Sequence, residues 1–188
     1  MIILNLIFAL FAIYIIISSI INKRPFYKKM KRSIGFRGGK LIYLDKQMDV
    51  KQKGIIYSKL LKSDRYGISG KPDYIYQVGD ELIPLELKSS KIKEETPYYK
   101  DVMQLVAYFL IIEETYGKHV KRGRIVYQNV MFEIYNRKFL KKQLLIMLDN
   151  MRKMENGVFF PEIQPSFSMC RFCPCRGTVC EINKEKTE

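Results

Sequence analysis

The first 21 residues form an almost uninterrupted apolar run, in which Asn5, Ser18 and Ser19 are the clearly polar positions and none is charged. About 20 helical residues, at about 1.5 Å each, span the roughly 30 Å hydrocarbon core of a bilayer. A cleaved signal peptide would carry a basic start and a small-residue cleavage site, which this run lacks. A core helix would show a polar face, which is also missing. The pattern therefore predicts a transmembrane helix over residues 1–22.

Cations dominate the segment that follows this apolar run. Eight of them precede the first acidic residue, Asp45, and six of these lie within residues 23–32: Lys23, Arg24, Lys28, Lys29, Lys31 and Arg32. Cytoplasmic segments next to a membrane span carry such an excess of Lys and Arg. We therefore expect a single-pass membrane protein with a basic juxtamembrane linker at 23–40 and the rest of the chain on the cytoplasmic side.

Strand-like and helix-like patterns alternate beyond the linker. In chain order they predict a β-hairpin (73–78 and 82–90), a helix (96–117), two strands (123–128 and 130–135) and a second helix (137–155). Pro84 is expected at the start or edge of its strand. Residues 54–70 are ambiguous between a short strand and a helix followed by a loop. The order predicts an α/β core over 41–160, with a mixed sheet flanked by helices.

The charge balance narrows the possible partners. The chain has 188 residues, enough for one domain with a sizeable core, and a formal net charge of +14. Such an excess indicates an anionic partner, either nucleic acid or an anionic membrane surface. The basic linker accounts for part of it. The single histidine, His119, excludes a multi-histidine metal site and is expected in a surface loop.

The tetrapeptide Leu85-Glu86-Leu87-Lys88 places charges in an otherwise apolar strand. Because strand side chains alternate between faces, Glu86 and Lys88 share one face, and hairpin pairing can bring Asp73 beside Glu86. Two adjacent carboxylates resist joint ionisation unless a cation neutralises them, and their hard oxygens suit Mg²⁺ or Mn²⁺. Such an ion with a neighbouring lysine can catalyse phosphodiester hydrolysis. The alternative is a solvated strand edge.

Two further features accompany this segment. Gln104 and Tyr108 are four residues apart, so they lie on one face of the predicted helix and could hold a nucleic-acid backbone. The alternative is a partly buried tyrosine beside a surface glutamine. All four cysteines lie within residues 170–180, at Cys170, Cys173, Cys175 and Cys180. Four clustered thiolates suit either a [4Fe–4S] cluster or Zn²⁺, which predicts a cysteine-rich metal or iron–sulfur tail at 161–188.

The segments "YGISGKPDYI", "IPLELKSS", "PYYKDVMQLVAYFLIIEETYG" and "CRFCPCRGTVC" together resemble the PD-(D/E)XK nuclease superfamily. The resemblance is to its RecB-like branch, specifically CRISPR-associated exonucleases of the Cas-four type and their stand-alone relatives. It covers roughly residues 40–182. It implies a restriction-endonuclease-like core for the α/β fold.

The resemblance also implies a role for each candidate residue. Asp73 and Glu86 match the acidic metal ligands, and Lys88 matches the catalytic lysine. In this family the carbonyl of the residue between the acid and the lysine, here Leu87, often adds a metal ligand. Gln104 and Tyr108 match a motif that helps to bind DNA and to shape the site.

Two departures from the family pattern concern metal ligands. Many relatives have an upstream metal-binding histidine, which this chain lacks; Asp45 is a candidate replacement by position alone. Relatives usually supply one cluster cysteine from upstream and three from the tail, whereas this chain has no upstream cysteine. Cys170, Cys173 and Cys180 match the three tail ligands of an iron–sulfur cluster, and Cys175 is a candidate for the fourth.

These observations lead to two functional hypotheses. The first is a membrane-anchored, cytoplasm-facing, Mg²⁺- or Mn²⁺-dependent DNA nuclease of exonuclease type, acting on single-stranded DNA or DNA with free ends. The alternative is a non-catalytic, membrane-tethered nucleic-acid-binding protein with a zinc or iron–sulfur tail. The intact set Asp73, Glu86 and Lys88 favours the nuclease, because a binding module would not need it.

Overall fold

The computed structural model describes residues 25–46, 48 and 51–158, together with the single residues 11, 13 and 171. The chain divides into two compact units, Met1–Ile146 and Met147–Glu188. The predicted transmembrane helix (1–22) and cysteine tail (161–188) therefore lie outside the described residues, apart from those single positions. Within the part of the chain that is described, no helix is long and apolar enough to cross a membrane.

The first unit is built on a mixed sheet, as the sequence predicts. The strands are β1 (Tyr27–Met30), β2 (Lys40–Leu44), β3 (Ile56–Tyr57), β4 (Leu61–Ser63), β5 (Ile68–Gly70), β6 (Tyr74–Val78), β7 (Glu81–Leu87), β8 (Arg122–Val126) and β9 (Met131–Tyr135). The helices of the described residues are α1 (Tyr99–Tyr116) and α2 (Lys138–Glu155), and the division between the two units falls within α2. Among these elements, seven strands form one sheet in the order β1-β9-β8-β7-β6-β2-β3, and β4 and β5 form a separate ribbon. The β7–β8 and β2–β3 pairs are parallel and the other pairs are antiparallel.

Helix α1 connects the parallel strands β7 and β8 and packs against both. The apolar residues that recur at helical spacing along α1 are all buried: Val102, Leu105, Val106, Phe109 and Leu110. The helix ends at Gly117, whose φ of 63° is the left-handed conformation that glycine adopts without strain. A Cβ on Gly123 in β8 would lie 2.7 Å from Cε1 of Phe109, so the absence of a side chain there lets α1 approach the sheet.

Helix α2 is close to its predicted range, 137–155, but its apolar stripe is buried only in part. Leu140 and Leu144 are buried, whereas Met147 and Met151 are 37% and 60% exposed. The periodicity therefore predicted the helix, but only part of its apolar face is buried.

Strand β1 lies within the segment predicted as a juxtamembrane linker, residues 23–40. Residues Tyr27–Met30 pair with β9, from Tyr27 opposite Ile134 to Met30 opposite Met131. Lys28 and Lys29 are exposed, and lysines are common on edge strands because they discourage further pairing. Two of the cations that follow the apolar run, Lys28 and Lys29, therefore lie on a sheet edge.

Two smaller expectations were also refined. The ambiguous segment 54–70 contains three short strands, β3, β4 and β5. Pro84 is buried in the middle of β7, not at the start or edge of a strand. It is tolerated there because the ladder with β8 begins one residue later, at Leu85, where no proline is present.

Candidate active site

The register between β6 and β7 brings Asp73 and Glu86 together. Tyr74 pairs with Leu85, so Asp73, one residue before β6, lies opposite Glu86. The N–H of Leu87 donates a hydrogen bond of 2.6 Å to Asp73 Oδ2. The neighbouring positions that hairpin geometry indicated for the two carboxylates are therefore observed.

Alternation along β7 separates its charged and apolar side chains. Leu85 and Leu87 belong to an apolar cluster on one face of the sheet. Glu86 points to the other face, where Gln104 of α1 donates to its Oε1 at 2.7 Å and Lys88 donates to the same oxygen at 3.2 Å. The solvated strand edge is excluded for Glu86, because this residue is only 7% exposed.

Lys88 lies in a cage of acceptors. Its Nζ is 2.6 Å from Gln104 Oε1, 3.2 Å from Glu86 Oε1 and 3.3 Å from Asp101 Oδ1. Asp101 is 5% exposed and its Oδ2 accepts a 2.6 Å hydrogen bond from the hydroxyl of Tyr127. The ammonium is therefore held by side chains of both β7 and α1.

Gln104 and Tyr108 lie on one face of α1, as their spacing predicted. Gln104 Nε2 donates to the Tyr108 hydroxyl at 2.9 Å, and that hydroxyl donates to the carbonyl of Lys71 at 3.1 Å. A Cβ on Gly70 would lie 2.8 Å from Cε1 of Tyr108, so glycine is needed where the ring packs. Tyr108 is 7% exposed, and it links α1 to the loop that precedes Asp73.

Burial sets the electrostatics of the site. It raises the pKa of Glu86, and the nearby charge of Asp73 raises it further, against the opposing effect of Lys88. Burial also raises the pKa of Asp73, although the hydrogen bond from Leu87 opposes this. The pKa of Tyr108 rises to about 12, again chiefly through burial, so its hydroxyl remains protonated. Two carboxylates that disfavour each other's ionisation are typical of a cation site.

The family model for the PD-(D/E)XK nuclease superfamily matches residues 29–181. The chain belongs to the PD-(D/E)XK nuclease superfamily. This result confirms the family that the sequence motifs indicated. The match begins within β1, the first strand of the sheet in the described residues, and so before residue 41, where the core was predicted to begin.

A similar protein supports the Cas-four resemblance. This PD-(D/E)XK chain is 24% identical over 143 residues to a CRISPR-associated exonuclease Cas4/endonuclease Cas1 fusion from Leptospira interrogans serogroup Icterohaemorrhagiae serovar Lai (strain 56601). The alignment covers 72% of this chain and 26% of the fusion protein, so the chain spans about a quarter of that relative's length. The crystal structure of SSO0001 is similar with a TM-score of 0.42 and 16% identity, over 81% of this chain and 60% of that one.

The donor set of this PD-(D/E)XK site fits a divalent cation. Glu86 Oε2 is buried and has no hydrogen-bond partner among the described residues. An unpaired buried acceptor beside a second carboxylate, that of Asp73, suits the hard oxygen-binding ions Mg²⁺ and Mn²⁺, which nucleases of this superfamily usually use. No three His, Cys, Asp or Glu side chains in the described part of the chain are grouped to hold a metal. A carbonyl, predicted to be that of Leu87, and water would complete the shell.

Asp45, the predicted replacement for the missing histidine, lies at the margin of the site. Its N–H donates to the carbonyl of Asp73 at 2.9 Å, and its charge contributes to the raised pKa of Asp73. Its Oδ1 accepts a 2.5 Å hydrogen bond from Ser58 and lies 3.9 Å from Lys71 Nζ. The location suits a metal-site neighbour, while the role of Asp45 as a ligand stays a prediction.

Asp101 and Tyr127 were not among the site residues predicted from the sequence. Asp101 lies three residues before Gln104, and residues three apart share a helix face, so spacing alone could have indicated Asp101. Tyr127 follows β8 and reaches the site only through the fold.

The other sequence-predicted residues lie elsewhere. His119 is exposed in a loop, with Nδ1 2.7 Å from Glu113 Oε1, as expected for a surface residue. The predicted metal-binding cysteines, Cys170, Cys173, Cys175 and Cys180, lie outside the described residues.

Proposed function

We propose that this chain is a metal-dependent deoxyribonuclease that hydrolyses phosphodiester bonds. The observation that carries the proposal is a single hydrogen-bonded network in a PD-(D/E)XK chain. Glu86, Lys88, Gln104 and Tyr108 are joined in it directly, and Asp73 is tied to the same strand end through the N–H of Leu87. The superfamily match supports nuclease chemistry, and the proximity of these residues supports assigning that chemistry to them.

The residues of the network have separate roles in this proposal. Asp73 and Glu86 would hold the metal, with the Leu87 carbonyl as a further donor. The bound ion would polarise a phosphoryl oxygen and lower the pKa of the attacking water. The Lys88 ammonium would orient that water and stabilise charge on the phosphate. Gln104 contacts both Glu86 and Lys88 and thereby fixes their relative positions.

In this proposal Gln104 and Tyr108 hold the neighbouring backbone and side chains of the site in position. Both are buried or half-buried, and the Tyr108 hydroxyl is engaged by Gln104 and by the carbonyl of Lys71. These contacts favour a role in holding the strand end and the loop before Asp73 in register. Contact with DNA would then be secondary to this role.

We propose DNA as the substrate, either single-stranded or with free ends. The similar fusion protein is described as an exonuclease, and the net charge of +14 favours a polyanion. Binding to phosphates releases counterions, so affinity should fall steeply with salt.

The purified full-length chain should cleave end-labelled DNA in Mn²⁺ or Mg²⁺ and lose this activity on chelation. Linear and circular single-stranded DNA, duplex DNA and RNA of matched sequence identify the substrate, and resistance of the circles identifies exonuclease action. Salt-sensitive binding of DNA without cleavage in any metal would favour the non-catalytic nucleic-acid-binding alternative. Cleavage that persists after chelation would contradict a metal-dependent site.

We further propose that residues 1–22 anchor the chain in a membrane with its nuclease core on the cytoplasmic side, and that the tail cysteines hold a [4Fe–4S] cluster or Zn²⁺. The uncharged run, the cations after it and the cysteine spacing support this. We expect the expressed chain to sediment with membranes and to resist carbonate extraction. A chain that carbonate releases from the membrane would contradict the membrane anchor.

Broad visible absorbance in an anaerobic preparation would identify an iron–sulfur cluster at the tail cysteines, whereas stoichiometric zinc would identify the alternative. A tail that holds neither an iron–sulfur cluster nor zinc would contradict the proposed cysteine site.

A further inference from the structure

The Lys88 ammonium is restrained more strongly than a lysine in an open cleft would be. A lysine carries its charge on a flexible four-carbon stem, and its ammonium has three protons to donate. In the described part of the site, Lys88 Nζ donates hydrogen bonds to Gln104 Oε1 and Glu86 Oε1 and forms a salt bridge with Asp101 Oδ1 at 3.3 Å. The first two belong to the network that carries the proposed function. Asp101 is a third anchor with no role yet assigned.

Tyr127 and the first turn of α1 hold Asp101 in place. Its Oδ2 accepts the 2.6 Å hydrogen bond from Tyr127, and the Tyr127 oxygen accepts the N–H of Tyr98 at 3.3 Å. Asp101 also lies in the first turn of α1, where a negative charge interacts favourably with the helix dipole. The carboxylate is therefore fixed by its helix and by a phenol from the end of β8.

Tyr127 is a rigid support for this contact. It is fully buried and its ring makes edge-to-face contacts with Tyr98 and Phe132, at centroid distances of 5.9 and 6.0 Å. Burial raises the pKa of Tyr127, and its hydrogen bond to Asp101 raises it further, so the phenol remains a donor at neutral pH. The connected chain of contacts runs from Tyr98 through Tyr127 and Asp101 to Lys88.

We infer that Asp101, fixed by Tyr127, is a positioning residue that holds the Lys88 ammonium at the reacting phosphate. The inference rests on the proposed nuclease function and adds to it a residue outside the Asp73, Glu86 and Lys88 set. Without Asp101, Glu86 would be the carboxylate that remains in contact with Lys88 among the described residues. The ammonium could then settle against a predicted metal ligand and away from the phosphate.

Kinetics of Asp101→Ala test the inference. A misplacement of about 1 Å in a catalytic group can cost about 10²-fold in rate, so we expect kcat to fall by about 10- to 100-fold while KM changes little. Asp101→Asn keeps an oxygen acceptor and should recover part of the loss. Tyr127→Phe should lower kcat by less than Asp101→Ala. Glu114→Gln, on the same helix and distant in sequence from the site, is the matched control and should retain the parent kcat.

The double variant Lys88→Ala/Asp101→Ala separates positioning from an independent effect. If Asp101 acts through Lys88, the double variant will cleave no more slowly than Lys88→Ala. A further loss by the same factor as in the single variant would overturn the inference. Parent-like kcat in a folded Asp101→Ala would do so as well.

A readout without turnover distinguishes failure of this inference from failure of the nuclease proposal. The ¹⁵Nζ ammonium signal of Lys88, assigned by its loss in Lys88→Ala, should show slow proton exchange in the parent and in Glu114→Gln. It should exchange faster in Asp101→Ala and, if that variant is unstable, in Asp101→Asn. If the parent does not cleave DNA but this difference is seen, the contact is real and the nuclease proposal fails. Equal exchange in the parent and both Asp101 variants would overturn the inference.

Discussion

Replacing Lys88 with alanine is expected to lower the rate of DNA cleavage by about 10³-fold, the middle of the range for loss of a positioned catalytic side chain. The ammonium is 2.6 Å from Gln104 Oε1 and 3.2 Å from Glu86 Oε1, at the strand end where the proposed metal ligands Asp73 and Glu86 lie. Alanine removes the charge without adding bulk. Single-turnover cleavage of end-labelled DNA at saturating Mn²⁺ measures the chemical step directly.

Lys91→Ala is the matched control for this prediction. Lys91 is an exposed lysine three residues further along the chain, so its loss changes the net charge equally without entering the network. It should weaken DNA binding slightly and leave the single-turnover rate at the parent level. Lys88→Arg keeps the charge, but a planar guanidinium cannot replace the compact ammonium in this cage, so it should rescue little. If Lys88→Ala and Lys91→Ala cleave at the same rate, Lys88 is not catalytic.

The predictable part of the site was the part encoded locally. The turn at Gly79 and Asp80 sets the hairpin register, and from that register Asp73 falls opposite Glu86. Strand alternation then separates Glu86 from Leu85 and Leu87. These rules depend on neighbours in sequence and on a fixed period of two, so the arrangement of the carboxylates could be predicted without knowing the fold.

The unpredicted part depends on pairing between distant segments. Strand β1 is charged and short, and it becomes a strand because β9, about 100 residues later, offers an unpaired edge. Tyr127 reaches Asp101 because β8 runs parallel to β7, which brings its end to the same side of the sheet. Neither relation leaves a periodic signal in the local sequence. The charges of β1 also resemble those of a membrane flank, so the local sequence indicated a linker where the structure has a strand.

Glu86→Gln is expected to lower cleavage by about 10³-fold or more and yet to stabilise the metal-free protein. The loss of activity follows because an amide is a poor substitute for a charged metal ligand, and each tenfold in rate corresponds to about 1.4 kcal/mol. The gain in stability follows from burial. The folded-state pKa of Glu86 is raised, so ionisation at neutral pH costs folding free energy that glutamine does not incur. Glutamine also keeps an oxygen that can accept from Lys88 and Gln104.

The pH dependence of this stability difference has a defined sign. Because the pKa of Glu86 is higher in the folded than in the unfolded state, the advantage of Glu86→Gln is fully present above the folded pKa. It should shrink as the pH falls through the folded pKa and disappear below the unfolded one, where the parent carboxyl is protonated in both states. Thermal unfolding in chelator measures it, since each kcal/mol shifts Tm by about 2–4 °C for a chain of this size.

Glu114→Gln provides a control of opposite sign for the stability effect. The pKa of Glu114 is lowered, chiefly by the hydrogen bond from Ser63, so its ionised form favours the fold. Its replacement by glutamine should lower Tm at neutral pH and leave cleavage unchanged. Added Mn²⁺ should raise the Tm of the parent and of Glu114→Gln by mass action, and raise that of Glu86→Gln much less. A metal-free Glu86→Gln that melts below the parent at neutral pH would contradict the folding cost expected from ionising this buried carboxyl. An Mn²⁺-induced shift equal to that of the parent would contradict its role as a ligand.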